Sequence, residues 1–287
     1  MTAATVEGLD AVLDRFAPVD LATLTSMANL QTRIDRKYLL APDVVEALLE
    51  DLRHGTWVLQ IGTRRSFGYE SVYFDTPDLR AYRAAAHGRR RRFKVRTRTY
   101  LDSGECVLEV KTSSGRGETV KARREHALEH RACLTPEAET FIRDHISPGA
   151  ADLGLSPVLI TTFHRSTVLA KDGAFRMTCD VGLVCAVPDG ASTALREHVL
   201  VETKSAGSPT LPDRLLWAAG HRPVTVSKYC VGLGALHDGL PVNRWHRAVP
   251  LFRGSLTTPW QDAPRAGTSR AALPGLDDDR PHHDEEE

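Results

Sequence analysis

The sequence predicts an α+β protein: a sheet whose strands each carry one charged and one apolar face, with helices laid over the apolar side. Three observations predict it. The stretch RFKVRTRTY, Arg92 to Tyr100, sets Arg92, Lys94, Arg96 and Arg98 against Phe93, Val95, Thr97 and Thr99, because strand side chains alternate faces with period two. Several further segments repeat this division, and between them lie segments with apolar residues at helical spacing. An ordinary antiparallel sheet with one wet side also alternates in this way, and a single basic strand is a common edge protection. The mixture on the polar faces is what distinguishes this chain: arginine and lysine dominate, with sparse carboxylates at Asp35, Glu105, Glu109, Asp180 and Glu202. If the sheet closes with those faces inward, the interior becomes a basic tunnel holding a few acids, and the outside needs helical cover.

Taken in order, TRIDRKYLL (Thr32 to Leu40) places Arg33, Asp35 and Lys37 opposite Ile34, Tyr38 and Leu40, with Arg36 breaking the apolar face. PDVVEALLEDL (Pro42 to Leu52) begins with proline near N1, repeats Val45, Leu48, Leu49 and Leu52, and is followed by Gly55, which predicts a helix. ECVLEVKT (Glu105 to Thr112) sends Glu105, Glu109 and Lys111 one way and Cys106, Leu108 and Val110 the other. TVKARRE (Thr119 to Glu125) aligns Lys121, Arg123 and Glu125. TPEAETFIRDHI (Thr135 to Ile146) has a threonine cap and then proline, again a helix start. FRMTCDV (Phe175 to Val181) aligns Arg176, Thr178 and Asp180, HVLVETKS (His198 to Ser205) aligns Glu202 and Lys204, and PDRLLWAAG (Pro212 to Gly220) reads as a short helix.

The 287 residues fit one large domain plus a tail. The domain is expected over 1–253. Residues 254–287 turn to Gly, Ser, Thr, Pro and Ala and end acidic, which predicts a disordered tail. The net charge of zero hides an asymmetry, since LDDDRPHHDEEE at the end holds seven acids and one arginine, leaving a basic surplus of six elsewhere. Between Leu79 and Leu101 stand nine basic side chains and no acid, which implies an anionic partner. Five cysteines without paired CxxC spacing predict buried reduced thiols rather than disulfides or zinc. His126 and His130 have i, i+4 spacing without a third ligand and are expected to be structural or solvated, while Asp75 and Asp78 in YFDTPDL are expected to shape a turn. With no signal-like segment and no run of ~18 to 20 apolar residues, a cytoplasmic protein is expected.

In sequence order, RIDRKYLL, SVYFDTPDL, RFKVRTRTY, LEVKT, TVKAR, FHR (Phe163 to Arg165), FRMTCD, VLVETK and VSKY (Val226 to Tyr229) resemble the VTC domain. That is the polyphosphate polymerase domain of the triphosphate tunnel metalloenzyme superfamily, also called CYTH-like. The resemblance implies an antiparallel β-barrel tunnel with helices outside. It also implies transfer of the ATP γ-phosphoryl group onto a growing polyphosphate chain, with a divalent metal, Mn²⁺ or Mg²⁺. Matched position by position, it implies catalytic roles for Arg96, Arg98, Lys111, Arg165, Arg176 and Lys228. It implies substrate binding by Lys37 and Lys121, joined by Lys94 and Lys204, and metal binding by Glu202 with help from Asp180 or Glu109. Two positions depart from the family pattern: Ala85 and Thr225 stand where basic residues are expected, and Arg83 or one of Arg89 to Arg92 is the expected substitute for the first.

The expected partners are ATP and polyphosphate or pyrophosphate, with a membrane protein as a further partner and no nucleic acid, because RFKVRTRTY offers no stacking platform. Two other readings stay open. One is a tunnel hydrolase or cyclase, whose relatives carry an ExExK first strand where this chain has Arg33, Asp35 and Lys37. The other is a sensor that binds polyphosphate or nucleotides without chemistry.

Overall fold

The computed structural model describes residues 3–27, 34–113, 119–146, 153–188 and 190–253. Their strands are β1 (Ala17–Val19), β2 (Ile34–Leu40), β3 (Thr56–Leu59), β4 (Phe67–Asp75), β5 (Arg92–Tyr100), β6 (Glu105–Ser113), β7 (Thr119–Glu125), β8 (Ser156–Ala170), β9 (Arg176–Ala186), β10 (Ser192–Ala194) and β11 (Val199–Ser205). The helices are α1 (Ala3–Leu13), α2 (Leu21–Met27), α3 (Pro42–Leu52), α4 (Arg80–Ala86), α5 (Pro136–His145), α6 (Leu211–Ala218), α7 (Lys228–Leu236) and α8 (Pro250–Arg253). The strands form one sheet with main order β2-β11-β9-β8-β4-β5-β6-β7. Every pairing along that path is antiparallel, while the short β1 pairs in parallel with β3.

The α+β class and the antiparallel sheet with helices outside are as expected. The barrel is looser than expected: β2 and β7 end the strand path without pairing to each other among the described residues. The sheet nevertheless curls, since Lys111 on β6 lies within electrostatic reach of Asp35 and Lys37 on β2 and Glu202 on β11.

Apolar outer faces explain the helices. Tyr38, Leu40, Met177, Cys179, Val199 and Val201 of β2, β9 and β11 pack under Leu9 and Leu13 of α1, Val45, Leu48, Leu49 and Leu52 of α3, and Leu216 of α6. Val95, Leu108 and Val110 of β5 and β6 pack under Ala138 and Ile142 of α5. Both helix starts expected from proline carry it at the first turn, and the Thr135 hydroxyl accepts from the Ala138 amide at 3.3 Å. Arg36, the break in the β2 pattern, reaches Asp213 and donates to the Gly207 carbonyl at 2.8 Å. Asp213 itself is fully buried, held by Tyr38, Thr203 and Thr210.

A third apolar cluster closes one end of the curl. There α7 packs against Tyr73, Leu159, Phe163, Leu183 and Cys185 from the concave side of the sheet. The fit is close: a β-carbon on Gly232 would come within 2.9 Å of both Cys185 Sγ and Leu159. Asp75 ties this end together, accepting from the amides of Thr76, Ala81 and Tyr82 at 2.8 to 2.9 Å and from the Tyr229 hydroxyl. It shapes the turn into α4, as expected. The thiols of Cys106, Cys179, Cys185 and Cys230 are buried and free, and Cys133 is exposed. His126 has a structural part, its Nε2 bridging the carbonyls of His130 and Cys133. The acidic tail expected over 254–287 lies outside the described residues, as does Arg33.

Candidate anion-binding site

Strand register gathers the charged faces. On the concave side Lys94 stands across from Lys111, Arg96 from Glu109 and from Tyr73, and Arg98 from Ser71. Lys111 in turn faces Lys121, Arg165 faces Asp180, Lys204 faces both Arg176 and Asp35, and Glu202 faces Lys37 and Thr178. Lys228, the first residue of α7, enters from the plugged end with its Nζ 4.2 Å from the Phe163 ring centroid and bonded to Asp180. Lys37, Lys94, Arg96, Arg98, Lys111, Lys121, Arg165, Arg176, Lys204 and Lys228 thus lie on one curled face or project onto it.

The carboxylates hold some of these cations in fixed orientations. Arg165 donates Nε and Nη2 to the two oxygens of Asp180 at 2.6 and 2.8 Å, so Asp180 does not engage its Nη1. Burial pushes the Asp180 carboxyl up, but Arg165 and Lys228 outweigh it and pull it down to about 2. Arg96 donates Nε to Glu109 at 2.7 Å and Nη1 to the Tyr73 hydroxyl at 3.2 Å, and Lys121 takes the other Glu109 oxygen. Glu109 is likewise held well below the usual carboxylate range, burial notwithstanding, by Arg96, Arg98 and Lys121.

Other groups have no such partner. Arg98 stacks its guanidinium 5.6 Å from the Tyr69 ring centroid, and its Nε is buried without a hydrogen bond. Burial and then Arg96 work against its charge. Beside it the hydroxyls of Ser71 and Thr161, adjacent in register on β4 and β8, are also buried and unpaired, as is that of Thr178. Buried polar atoms are rarely left unsatisfied, and an orphaned row facing one space marks a place for a ligand rich in acceptors. Sequence reasoning missed Ser71 and Thr161 because neutral hydroxyls leave no charge pattern; their only signal is the two-residue spacing from Tyr73 and Phe163.

Lys94 also has no carboxylate partner. Its Nζ donates to the Ser227 hydroxyl at 3.0 Å, and burial, followed by Lys37, Arg96 and Arg92, lowers it to about 8. In the free protein it therefore loses its proton near pH 8, whereas the unfolded chain holds that proton to about 10.5. The unfolded state binds more protons across this window, so the free protein gains stability from this group as pH rises. An anion needs the protonated form. We expect the melting-temperature rise produced by tripolyphosphate to shrink from pH 7 to pH 10, and Lys94→Met to remove that part of the dependence. A Lys94→Met profile parallel to that of the unaltered protein would refute it.

Ala85 packs into the apolar cluster at the plugged end and not onto the charged face. Arg83 is exposed and donates to the Asp78 carbonyl, so Arg92, within electrostatic reach of Lys94, is the better placed substitute. Thr225 lines a cavity of about 430 Å³ with Asp35, Arg36, Lys37, Pro223, Val224 and Val226. Lys37 donates its Nζ across to the Val226 carbonyl at 3.2 Å.

Among the described residues no three of His, Cys, Asp and Glu gather where they could hold a metal ion by themselves. Asp180 and Glu109 are each gripped by two cations. Glu202, itself pulled down against its burial by Lys37 and Lys204, shares a checkerboard with Asp35: Lys37 faces Glu202, and Asp35 faces Lys204, on neighbouring strands. Lys204 also pairs with Glu202 along β11. Two hard oxygen donors suit Mg²⁺ or Mn²⁺, which commonly take one or two carboxylates together with substrate phosphates. The residues present fit such an ion.

Among proteins of curated function none matches the chain. Its structure is similar to that of an adenylyl cyclase-like protein from Hippeastrum described as having a dominant triphosphatase activity, at 15% identity and TM-score 0.43, covering 73% of this chain and 99% of that one. It is also similar to an adenylate cyclase-like protein from Vibrio parahaemolyticus, at 11% identity and TM-score 0.40, covering 68% and 94%. A Pyrococcus horikoshii OT3 protein gives 12% identity and TM-score 0.40 over 69% and 96%. The VTC domain matches residues 32–237, a span that holds β2 through α7 and with them the charged side chains of the concave face, and the chain belongs to the VTC domain family.

Proposed function

We propose that the protein is a polyphosphate polymerase-like phosphotransferase that moves the γ-phosphoryl group of ATP onto a phosphate chain. The observation that carries this reading is the unbalanced positive charge of the concave face, above all Arg98 with its orphaned Nε and Lys94 without a carboxylate. A buried cation with no counter-ion costs free energy that a phosphate oxygen recovers.

Phosphoryl transfer asks little covalent work of the protein, so position and electrostatics carry it. Arg96, Arg98, Arg165 and Arg176 would grip phosphate oxygens, the first and third already oriented by Glu109 and Asp180. Lys37, Lys94, Lys111, Lys121, Lys204 and Lys228 would supply point charges along the chain. An anionic oxygen of the acceptor phosphate attacks the γ-phosphorus while the bond to the β–γ bridging oxygen breaks, and ADP leaves with that electron pair. Ser71 and Thr161 would donate to the phosphate beside Arg98. Glu202 and Asp35 would hold a divalent cation, which when bound neutralises charge on phosphate oxygens. Polymerase chemistry, rather than hydrolysis, is favoured by Arg33 standing in the first strand where the ExExK of hydrolytic relatives carries its first glutamate. No helix among the described residues is long and apolar enough to cross a membrane.

The test incubates the protein with ATP and Mn²⁺, with and without pyrophosphate, and follows phosphorus NMR. Chain-internal phosphate signals are expected, reduced on the order of 100-fold by Glu202→Ala. Orthophosphate as the only product would mean a hydrolase. Bound but unchanged ATP would mean a sensor.

A further inference from the structure

The basic row of β5 does not stop where the sheet ends. It continues from Lys94 through Arg92 into Arg91, Arg90 and Arg89, in the connection from α4, and all four arginines are exposed. Arg92 turns back to donate Nη1 to the Arg89 carbonyl at 3.0 Å, which folds the run into a patch. Arg244, also exposed, adjoins it: a β-carbon on Gly88 would lie 2.5 Å from its Nη1. None of these five guanidinium groups pairs with a described carboxylate. Lys111, across from Lys94, is exposed at the same end, so the concave row is open to solvent there.

We propose that Arg89, Arg90, Arg91, Arg92 and Arg244 form a second anion-binding surface that holds the part of a long condensed-phosphate chain lying outside the concave face. The proposal rests on the phosphate-binding reading of that face and adds a preference for chain length. From Arg98 to Arg92 the row runs about 20 Å at ~3.3 Å per residue, further than three linked phosphates reach, so only a longer chain engages both parts at once. Bridging two sites in this way raises affinity without any new kind of contact.

Other polyanions fit less well. Stable attachment to a membrane takes a second signal beside a basic patch, and the exposed large apolar residues Leu21, Ile34, Leu101, Val120, Leu128 and Leu211 all lie in other segments. Single-stranded nucleic acid is bound largely by stacking, and the aromatics flanking the patch are buried, Tyr82 and Trp245, or half-buried against the apolar cluster under α5, Phe93.

The test measures binding of tripolyphosphate and of long-chain polyphosphate over a range of salt, for the full chain and for the triple variant R89A/R90A/R91A, with phosphatidylserine vesicles as a third probe. The unaltered protein should bind the long chain at least tenfold more tightly than tripolyphosphate. The variant should lose that advantage and keep tripolyphosphate affinity. Its salt slope for the long chain should fall by about 2, at ~0.7 per lost contact. Equal affinity for both lengths in the unaltered protein, unchanged long-chain binding in the variant, or vesicle binding that alone depends on the three arginines would each overturn the proposal. If the unaltered protein fails to bind even tripolyphosphate, the concave-face reading falls with it; binding without a length preference removes the arginine surface alone.

Discussion

Replacing Asp180 with alanine should destabilise the protein by about 3 to 5 kcal/mol, the usual cost of removing one member of a buried ion pair. The carboxylate is almost fully buried and serves two cations, Arg165 through two hydrogen bonds and Lys228 through a third. Without it both stay desolvated beside each other with no counter-charge. Denaturant unfolding checks the magnitude, and tripolyphosphate distinguishes the cause. A phosphate supplies what the carboxylate did, so its stabilising effect should be larger in Asp180→Ala than in the unaltered protein. Acid unfolding gives a second check. The folded-state value of about 2 lies below the unfolded value of ~4, so this group's stabilisation is present above pH 4 and is lost as pH falls through 2. Asp180→Asn should flatten the stability profile over that interval. A loss under ~1 kcal/mol, or equal phosphate stabilisation in both proteins, would show that Asp180 is not the counter-ion of the site.

Asp180 also illustrates what the chain discloses before folding. Charged faces were legible because period-two alternation is local, and Arg96, Arg98, Asp180 and Glu202 all sit where that alternation puts them. Helices α3 and α5 were legible for the same reason, with capping and apolar spacing contained within a dozen residues. Arg36 read as a flaw because its partners Ser205, Gly207 and Asp213 are about 170 residues away. Helix α7 gave no stripe at all. KYCVGLGAL is buried on nearly every side, and a helix apolar all round carries no helical period. The length of β8 was hidden by the irregularity between Thr162 and His164, which shifts its pairing with β9 and interrupts the alternation. Closure of the sheet was over-read: a row of inward charges predicts a concave face, but it says nothing about whether the edge strands β2 and β7 pair.

Arg98→Met should do the opposite of Asp180→Ala: stabilise the free protein while weakening its hold on phosphate. Arg98 keeps its Nε buried without a partner, against burial and the repulsion of Arg96. Glu109, its nearest acid, retains Arg96 and Lys121 when Arg98 is removed. An apolar side chain of similar length fills the space over Tyr69 and removes a charge that the free protein offsets only through Glu109, which Arg96 and Lys121 already hold. A gain of ~0.5 to 2 kcal/mol is the usual return when a strained functional group is replaced. The bound state loses a charge-assisted hydrogen bond of ~1.5 to 3 kcal/mol, so tripolyphosphate affinity should fall roughly 10- to 100-fold. Arg98→Lys should sit between, keeping the charge and losing the fork that reaches two oxygens. Calorimetric titration with tripolyphosphate and unfolding of the ligand-free protein measure the two quantities separately. If Arg98→Met is less stable and binds as before, Arg98 is part of the scaffold. If stability rises as affinity falls, free energy is withheld from the empty fold at the position where the phosphate returns it.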